Sequence, residues 1–186
     1  MKKIISILIL AALFASSVQA QVNWNTIEQA SNVDTKSNKK PFFIDIYTTW
    51  CGHCKTMDRE TFSDPVVAAI LNKYYIPVKF DAEGVSSFTW NGTKYSNTRT
   101  PGQNAQVHPF TRAILGPKLG YPAFAIFNKD KGLSKIQYGR QNAYDFSMFL
   151  WYYCSGDDQR YTYDEYQQIF QTEIKPDMMK KLGLNK

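Results

Sequence analysis

The chain is poor in several residues on which other protein classes depend. It has three cysteines and two histidines in 186 residues, too few for a scaffold held by several disulfides or for a metal site built from both residue types. No run of lysine and arginine is longer than two residues, and the net charge is +6. This scattered charge indicates a solvated surface and argues against a nucleic-acid partner. No internal repeat or low-complexity tract is present, so we expect one folded domain with its own core.

The first twenty residues predict an export signal. Two lysines precede an apolar run over 4–15, and Val18-Gln19-Ala20 ends the segment, as is typical of a secretory signal peptide. The run is too short to span a bilayer comfortably, and no cysteine follows Ala20 to accept a lipid. We therefore expect cleavage before Gln21, no stable membrane insertion afterwards, and a periplasmic domain over 21–186. An uncleaved membrane anchor is the alternative.

The most informative stretch is Trp50-Cys51-Gly52-His53-Cys54-Lys55, which directly follows a buried-strand pattern. Two thiols separated by two residues on a first helical turn can close a disulfide with little strain, so one sulfur can attack a substrate and the other can resolve the product. Lys55 stands where attachment of a c-type haem needs histidine, and no second close cysteine pair completes a zinc site. The stretch predicts a redox-active disulfide, with no metal and no other cofactor.

Hydrophobic periodicity predicts alternating helices and strands in an α/β fold. The expected helices cover about 24–31, 51–62, 65–72, 109–115, 142–154, 162–171 and 176–182, and the expected strands cover 42–47, 76–81, 123–128 and 133–139. The last two strands flank the turn 129–132 and should pair antiparallel as a hairpin. A polar, aromatic-containing insertion covers 82–119, and a helical extension covers 155–186.

Three further features of the sequence are expected to be structural or to have little functional weight. Cys154 lies on the apolar stripe of its helix, which favours a small buried core residue over a third redox thiol. His108 is expected to be a surface or loop residue. Asn91-Gly92-Thr93 matches a glycosylation acceptor, but a bacterial-type signal gives that match little weight.

The order of these elements around a Cys-x-x-Cys helix resembles the thioredoxin superfamily. Asp45 stands six residues before Cys51, at the buried-acid position of thioredoxins, and Gly120-Tyr121-Pro122-Ala123 is similar to the cis-proline loop of that family. The resemblance covers about 23–81 and 120–153. It implies a central mixed β-sheet flanked by helices, with the insertion placed before the cis-Pro122 loop and the helical extension after the family core.

Within the superfamily, two segments are most similar to exported bacterial thioredoxin-like proteins. They are Asn38-Lys39-Lys40-Pro41, before the first strand, and Glu60-Thr61-Phe62-Ser63-Asp64-Pro65, after the cysteines. The C-terminal domain of the transmembrane thiol:disulfide interchange protein is one such relative. The Gly52-His53 pair instead resembles that of protein disulfide isomerases, so the resemblance leaves the direction of electron flow open.

The position of each cysteine predicts its role. Cys51 begins the helix, where free N–H groups and the helix dipole favour an anion, so its pKa should fall below ~8.5 and make it the nucleophile. His53 adds a positive or donating neighbour, and Cys54, one turn further in, should resolve the mixed disulfide. Asp45, buried and poorly solvated, is expected to accept the Cys54 proton through water.

Four residues are expected to form the substrate-binding surface. Trp50 should shield the disulfide and offer apolar surface, with Gly52 beside it. The resemblance implies a cis bond before Pro122, which would turn the backbone of Tyr121 toward an extended peptide.

Together these features predict a periplasmic thiol–disulfide oxidoreductase, either a reductase or an isomerase. Its partners would be protein thiols and disulfides, together with a membrane or periplasmic redox protein that restores its own redox state. The alternative is a peptide- or carbohydrate-binding module on a thioredoxin-like scaffold, in which Cys51 and Cys54 form only a structural disulfide.

Overall fold

The computed structural model of the protein describes residues 21–98 and 103–184; the export signal predicted over 1–20 lies outside them. Six strands are present in these ranges: β1 (Phe42–Tyr47), β2 (Ile76–Asp81), β3 (Ser86–Trp90), β4 (Thr93–Asn97), β5 (Ala123–Phe127) and β6 (Leu133–Tyr138). Seven α-helices accompany them: α1 (Ile27–Ser31), α2 (Gly52–Glu60), α3 (Pro65–Tyr74), α4 (Pro109–Leu115), α5 (Ala143–Cys154), α6 (Tyr163–Ile169) and α7 (Lys175–Leu182). No helix in these ranges is long and apolar enough to cross a membrane.

Four strands form a mixed central sheet in the order β2-β1-β5-β6, which confirms the predicted architecture. β1 pairs parallel with β2 and antiparallel with β5, and β5 and β6 form the predicted antiparallel hairpin. β1 lies inside the sheet and has helices on both faces, so even its acidic residue is buried. The parallel register sets Asp45 of β1 opposite Lys79 of β2, which matters for the site below.

Two hydrophobic clusters cover the two faces of the sheet. On one face, Phe43 and Phe124 pack with residues of α2, α3 and α5. On the other face, alternate β1 residues such as Phe42 and Ile44 pack with α1, α4 and the insertion. The alternation along β1 follows from the period of two in a strand. The inner strands β1 and β5 are therefore buried on both sides, whereas the edge strand β6 is largely exposed.

The insertion contains a β-hairpin that the sequence reasoning did not predict. β3 and β4 pair antiparallel across Asn91-Gly92, and both turn residues have positive φ values, 47° and 78°. Such turns favour Asn-Gly because both central residues must adopt positive φ. Trp90 packs edge-on against Phe42 with ring centroids 5.2 Å apart, so the hairpin covers one face of the central sheet.

His108 lies in the loop that precedes α4, as predicted, but it is not at the surface, because its side chain is fully buried. His108 is the N-cap of α4, and its Nδ1 accepts the backbone N–H of Phe110 at 3.0 Å. Its ring stacks on Phe88, 5.4 Å between centroids. Aromatic residues of the insertion bury the imidazole, and this long-range packing has no local signal in the sequence.

The C-terminal extension covers α3 and α5. A capping box of Thr162 and Glu165 begins α6 as predicted, a π-helical turn covers Phe170–Ile174, and α7 follows. This extension buries α5 residues that lie off its main apolar stripe, such as Trp151 and Tyr152.

Two predictions, the burial of Cys154 and the start of the first helix, differ slightly from the structure. Cys154 packs against the core but stays partly exposed, and burial raises the pKa of its thiol to about 12. The first helix begins at Ile27, three residues later than expected, because Thr26 caps it with a capping box. Trp24 therefore precedes the helix, and Asn25 forms an isolated parallel bridge with Val78 of β2.

Candidate active site

Cys51 and Cys54 form a disulfide at the N-terminus of α2, with their Cα atoms 5.3 Å apart. Cys51 is the N-cap, and the backbone N–H of Cys54 donates to Cys51 Sγ at 3.1 Å. The Cys51 N–H donates in turn to the carbonyl of Thr48, which holds the cap against the end of β1. Because an N–H at a helix N-terminus favours negative charge, the geometry suits a thiolate at Cys51 after reduction.

Asp45 is buried near the middle of β1, with a relative exposure of 1%. Its Oδ2 lies 2.8 Å from Lys79 Nζ, whereas Oδ1 has no hydrogen-bond partner among the described residues. Burial raises the pKa of Asp45 to about 6, against the lowering effect of the Lys79 ammonium. At neutral pH the group is mostly an ionised carboxylate, but one able to take up a proton.

Lys79 is a member of the site that the sequence reasoning missed. Its ammonium bridges the carboxylates of Asp45 and Asp58 and lies 5.0 Å from the ring centroid of Trp24 and 5.1 Å from that of Phe62. Burial acts against its charge, but the two carboxylates outweigh burial and raise its pKa. The sequence carries no local signal for this pair, because Asp45 and Lys79 become neighbours only through the parallel register of β1 and β2.

Two of the predicted substrate-binding residues, Trp50 and Gly52, flank Cys51 in the sequence, and the ring of Tyr121 packs on that of Trp50. Trp50 is 64% exposed, with its ring 5.9 Å from that of Tyr121, and its Nε1 donates to Glu83 at 2.9 Å. The Tyr121-Pro122 bond is cis, as expected. Glu83 lies at the start of the insertion, so that segment helps to hold Trp50, a contact that the sequence did not indicate.

Gly52 and His53, between the cysteines, are both exposed. A Cβ added to Gly52 would have no neighbouring atom within 4 Å, so internal packing does not require glycine there. Residues 21–98 and 103–184 contain no group of three or more His, Cys, Asp or Glu side chains arranged to hold a metal ion.

Comparison with known proteins finds sequence matches to parts of the chain. The family model described as "Thioredox_DsbH: Protein of unknown function, DUF255" matches residues 11–89. The thiol:disulfide interchange protein DsbD of Vibrio vulnificus (strain YJ016) is 36% identical over 69 residues. That alignment covers 33% of this chain and only 12% of the relative, so the chain corresponds to a small part of that longer protein.

Solved structures share the fold at low sequence identity. A thioredoxin-fold protein from Helicobacter pylori superimposes with a TM-score of 0.54 and 11% identity, covering 91% of this chain and 97% of the other. A DsbH oxidoreductase gives a TM-score of 0.51 and 12% identity, covering 73% of this chain and 86% of the other.

The chain therefore has a thioredoxin-like fold with a Cys-x-x-Cys disulfide at the start of α2. A stretch of 69 residues is similar to DsbD, and the DsbH-type family model covers a range that includes Cys51 and Cys54.

Proposed function

We propose that the protein is a periplasmic oxidoreductase that exchanges disulfides with protein substrates through Cys51 and Cys54. The observation that carries this proposal is the disulfide at the N-terminus of α2, where the Cys54 N–H donates to Cys51 Sγ. A purely structural bridge has no need of a helix N-terminus that stabilises one of its sulfurs as a thiolate. The predicted export signal supports the periplasmic location.

The exchange begins from the reduced pair. The Cys51 thiolate attacks a substrate disulfide, forms a Cys51–substrate disulfide and releases the other substrate sulfur as a thiolate. The Cys54 sulfur then attacks Cys51 Sγ, which closes the internal disulfide and releases the second substrate thiolate. Two electrons pass to the substrate, and the reverse sequence oxidises a substrate dithiol.

Asp45 assists the second step as a base. The Cys54 thiol must lose its proton to attack, and Asp45 accepts this proton through water. A carboxylate with a pKa of about 6 is largely ionised at pH 7 and yet binds a proton more readily than an ordinary aspartate. Lys79 holds Oδ2 and leaves Oδ1 as the acceptor.

The substrate is an extended polypeptide that carries the reacting sulfur. Trp50 presents an exposed apolar ring beside the disulfide, and the Tyr121–Pro122 loop lies against that ring. Gly52 leaves space for the substrate backbone, and His53 offers a polar contact. A second redox protein of the membrane or periplasm supplies or removes the electron pair that each turnover requires.

Cysteine variants test the proposal with an internal control. Cys54→Ser should trap mixed disulfides between Cys51 and periplasmic proteins, which a non-reducing gel and mass spectrometry would detect. Cys51→Ser should trap far fewer, because Cys54 lies inside α2 and lacks the position of Cys51 at the N-cap. If neither variant forms mixed disulfides, the bridge is structural and a peptide- or carbohydrate-binding module becomes the better explanation.

A further inference from the structure

A cavity of about 180 Å³ lies between the insertion and the turn that joins β5 to β6. Of the described residues that line it, four are aromatic, namely Trp90, Tyr95, Phe110 and Phe127, and only Lys131 is charged. Phe127 pairs with the first residue of β1, whereas the cysteines follow the last residue of that strand. The cavity and the disulfide therefore lie at opposite ends of the central sheet, and the proposed exchange reaction uses none of the cavity residues.

Lys131 brings a buried positive charge to the cavity wall. Its relative exposure is 8%, and its ammonium donates to the backbone carbonyls of Ser31 and Val33 at 2.6 and 3.3 Å. Both acceptors are neutral, and the adjacent carboxylate of Asp130 pairs with Lys129 instead. Burial lowers the pKa of Lys131, and no described carboxylate acts against this effect. Because a buried charge is costly unless it is paired, the third N–H of the ammonium is suited to an anionic acceptor.

Trp90 places a second donor beside that charge. The residue is 3% exposed, and its indole Nε1 has no hydrogen-bond partner among the described residues. Buried polar groups in folded proteins are nearly always hydrogen-bonded, so this indole calls for an acceptor from outside the described chain. The Lys131 ammonium lies 5.3 Å from the centroid of the Trp90 ring, so the two oxygens of one carboxylate can serve both donors.

The aromatic part of the wall selects the body of the ligand. The rings of Phe110 and Phe127 are nearly parallel, with their centroids 6.2 Å apart, and Trp90 meets Phe127 edge to face at 5.2 Å. Such walls favour a flat apolar ring, and phosphate and sulfate offer them no apolar surface. An apolar cavity of about 150 Å³ is large enough for benzene. The cavity of about 180 Å³ therefore holds one ring with its carboxylate.

We propose that this cavity is a binding site for a small aromatic carboxylate. The ring lies against Phe110 and Phe127, and the carboxylate accepts hydrogen bonds from Lys131 Nζ and Trp90 Nε1. The single negative charge of the ligand compensates the single positive charge of Lys131. Because the cavity has room for one ring and its carboxylate, the ligand is a free molecule rather than a segment of a polypeptide. Binding at this site goes beyond the proposed function and does not depend on thiol–disulfide exchange.

Benzoate is a suitable probe, with benzamide as its uncharged control of nearly the same shape. Each is titrated into the oxidised protein while the indole N–H signals of the four tryptophans are followed by ¹H–¹⁵N NMR. With benzoate the Trp90 signal should shift and saturate, whereas those of Trp24, Trp50 and Trp151 should stay in place. Benzamide should bind at least tenfold more weakly, because it lacks the charge that pairs with Lys131.

Two lysine variants locate the charge that binds the probe. Lys131→Met removes the ammonium but keeps a long apolar side chain, so it should weaken benzoate binding at least tenfold. Lys129→Met is the matched control and should leave binding unchanged, because Lys129 lies in the same turn, pairs with Asp130 and does not line the cavity. The comparison of benzoate with benzamide on the unaltered protein decides the question even if Lys131→Met does not fold.

Four results would each overturn the proposal. They are the absence of a saturable shift, saturation at a tryptophan other than Trp90, benzamide binding as tight as that of benzoate, and equal weakening of binding by the two lysine variants. None of these results would affect the proposed exchange activity, which the cysteine variants test.

Discussion

Replacing Asp45 with asparagine should stabilise the folded protein, even though it removes a buried ion-pair partner. The pKa of Asp45 rises from an ordinary 3.8 to about 6, so ionisation costs more free energy in the folded than in the unfolded chain. A tenfold change in proton affinity equals about 1.4 kcal/mol, which makes the cost about 3 kcal/mol at pH 7. Asparagine is nearly isosteric and avoids this cost, while Lys79 keeps Asp58 as a partner.

The stabilisation expected from Asp45→Asn should depend on pH. An acid whose folded-state pKa is raised destabilises the fold only where it is ionised, so its penalty is absent below pH 3.8, grows between 3.8 and about 6 and is constant above. The stability gain of Asp45→Asn should therefore be about 3 kcal/mol at pH 7 and only about 1 kcal/mol at pH 4.5. Denaturant unfolding of both proteins at the two pH values measures it.

Asp130→Asn is the control for this experiment, since it makes the same chemical change at an exposed acid in the turn between β5 and β6. It should change stability by less than about 0.5 kcal/mol at either pH. An Asp45→Asn variant that is less stable at pH 7, or whose gain is the same at both pH values, would refute the reasoning. Asp45→Asn should also slow the closing of the internal disulfide near neutral pH. Quenching the reaction with a fast alkylating agent at successive times and measuring how much mixed disulfide remains gives this rate.

Two other predictions concern the remaining structure. Burial lowers the pKa of His108 below its ordinary 6.5, so His108 contributes stability above pH 6.5 that is lost as the pH falls. His108→Asn keeps an N-cap acceptor and should reduce the loss of folding stability between pH 7 and 5, measured by denaturant unfolding. A loss of stability with the same slope in both proteins would contradict this role of His108. Gly92 has φ +78°, so Gly92→Ala should lower the free energy of unfolding by about 1 kcal/mol. Gly52→Ala is the control and should lower it much less. Equal losses of stability would contradict the assignment of Gly92 to the turn.

The parts of the fold that the sequence predicts well have strong local patterns. β1 is almost continuously apolar, the Cys-x-x-Cys stretch follows it directly, and Pro65 and Thr162 mark helix starts through capping chemistry. Periodicity, caps and proline act within a few residues, so they can be read from sequence alone. The cis bond at Pro122 was expected only from the family resemblance.

The missed features depend on contacts between distant segments. Asn91-Gly92 is a strong hairpin signal, but the polar texture around it favoured an irregular loop, and only packing of Trp90 on Phe42 makes the hairpin part of the core. Burial of His108 requires the folded insertion. The Lys79 bridge requires the register of β1 against β2, which local patterns do not specify.

The reduction potential of the Cys51/Cys54 pair tests the central claim most directly. The protein without its predicted signal peptide is equilibrated with glutathione buffers, and the thiol content is read by alkylation and mass spectrometry. The account predicts that the pair exchanges readily and titrates between about −270 and −120 mV, the range of thioredoxin-like redox proteins. A pair that stays oxidised, with a potential below about −300 mV, would be a structural disulfide and would contradict the account.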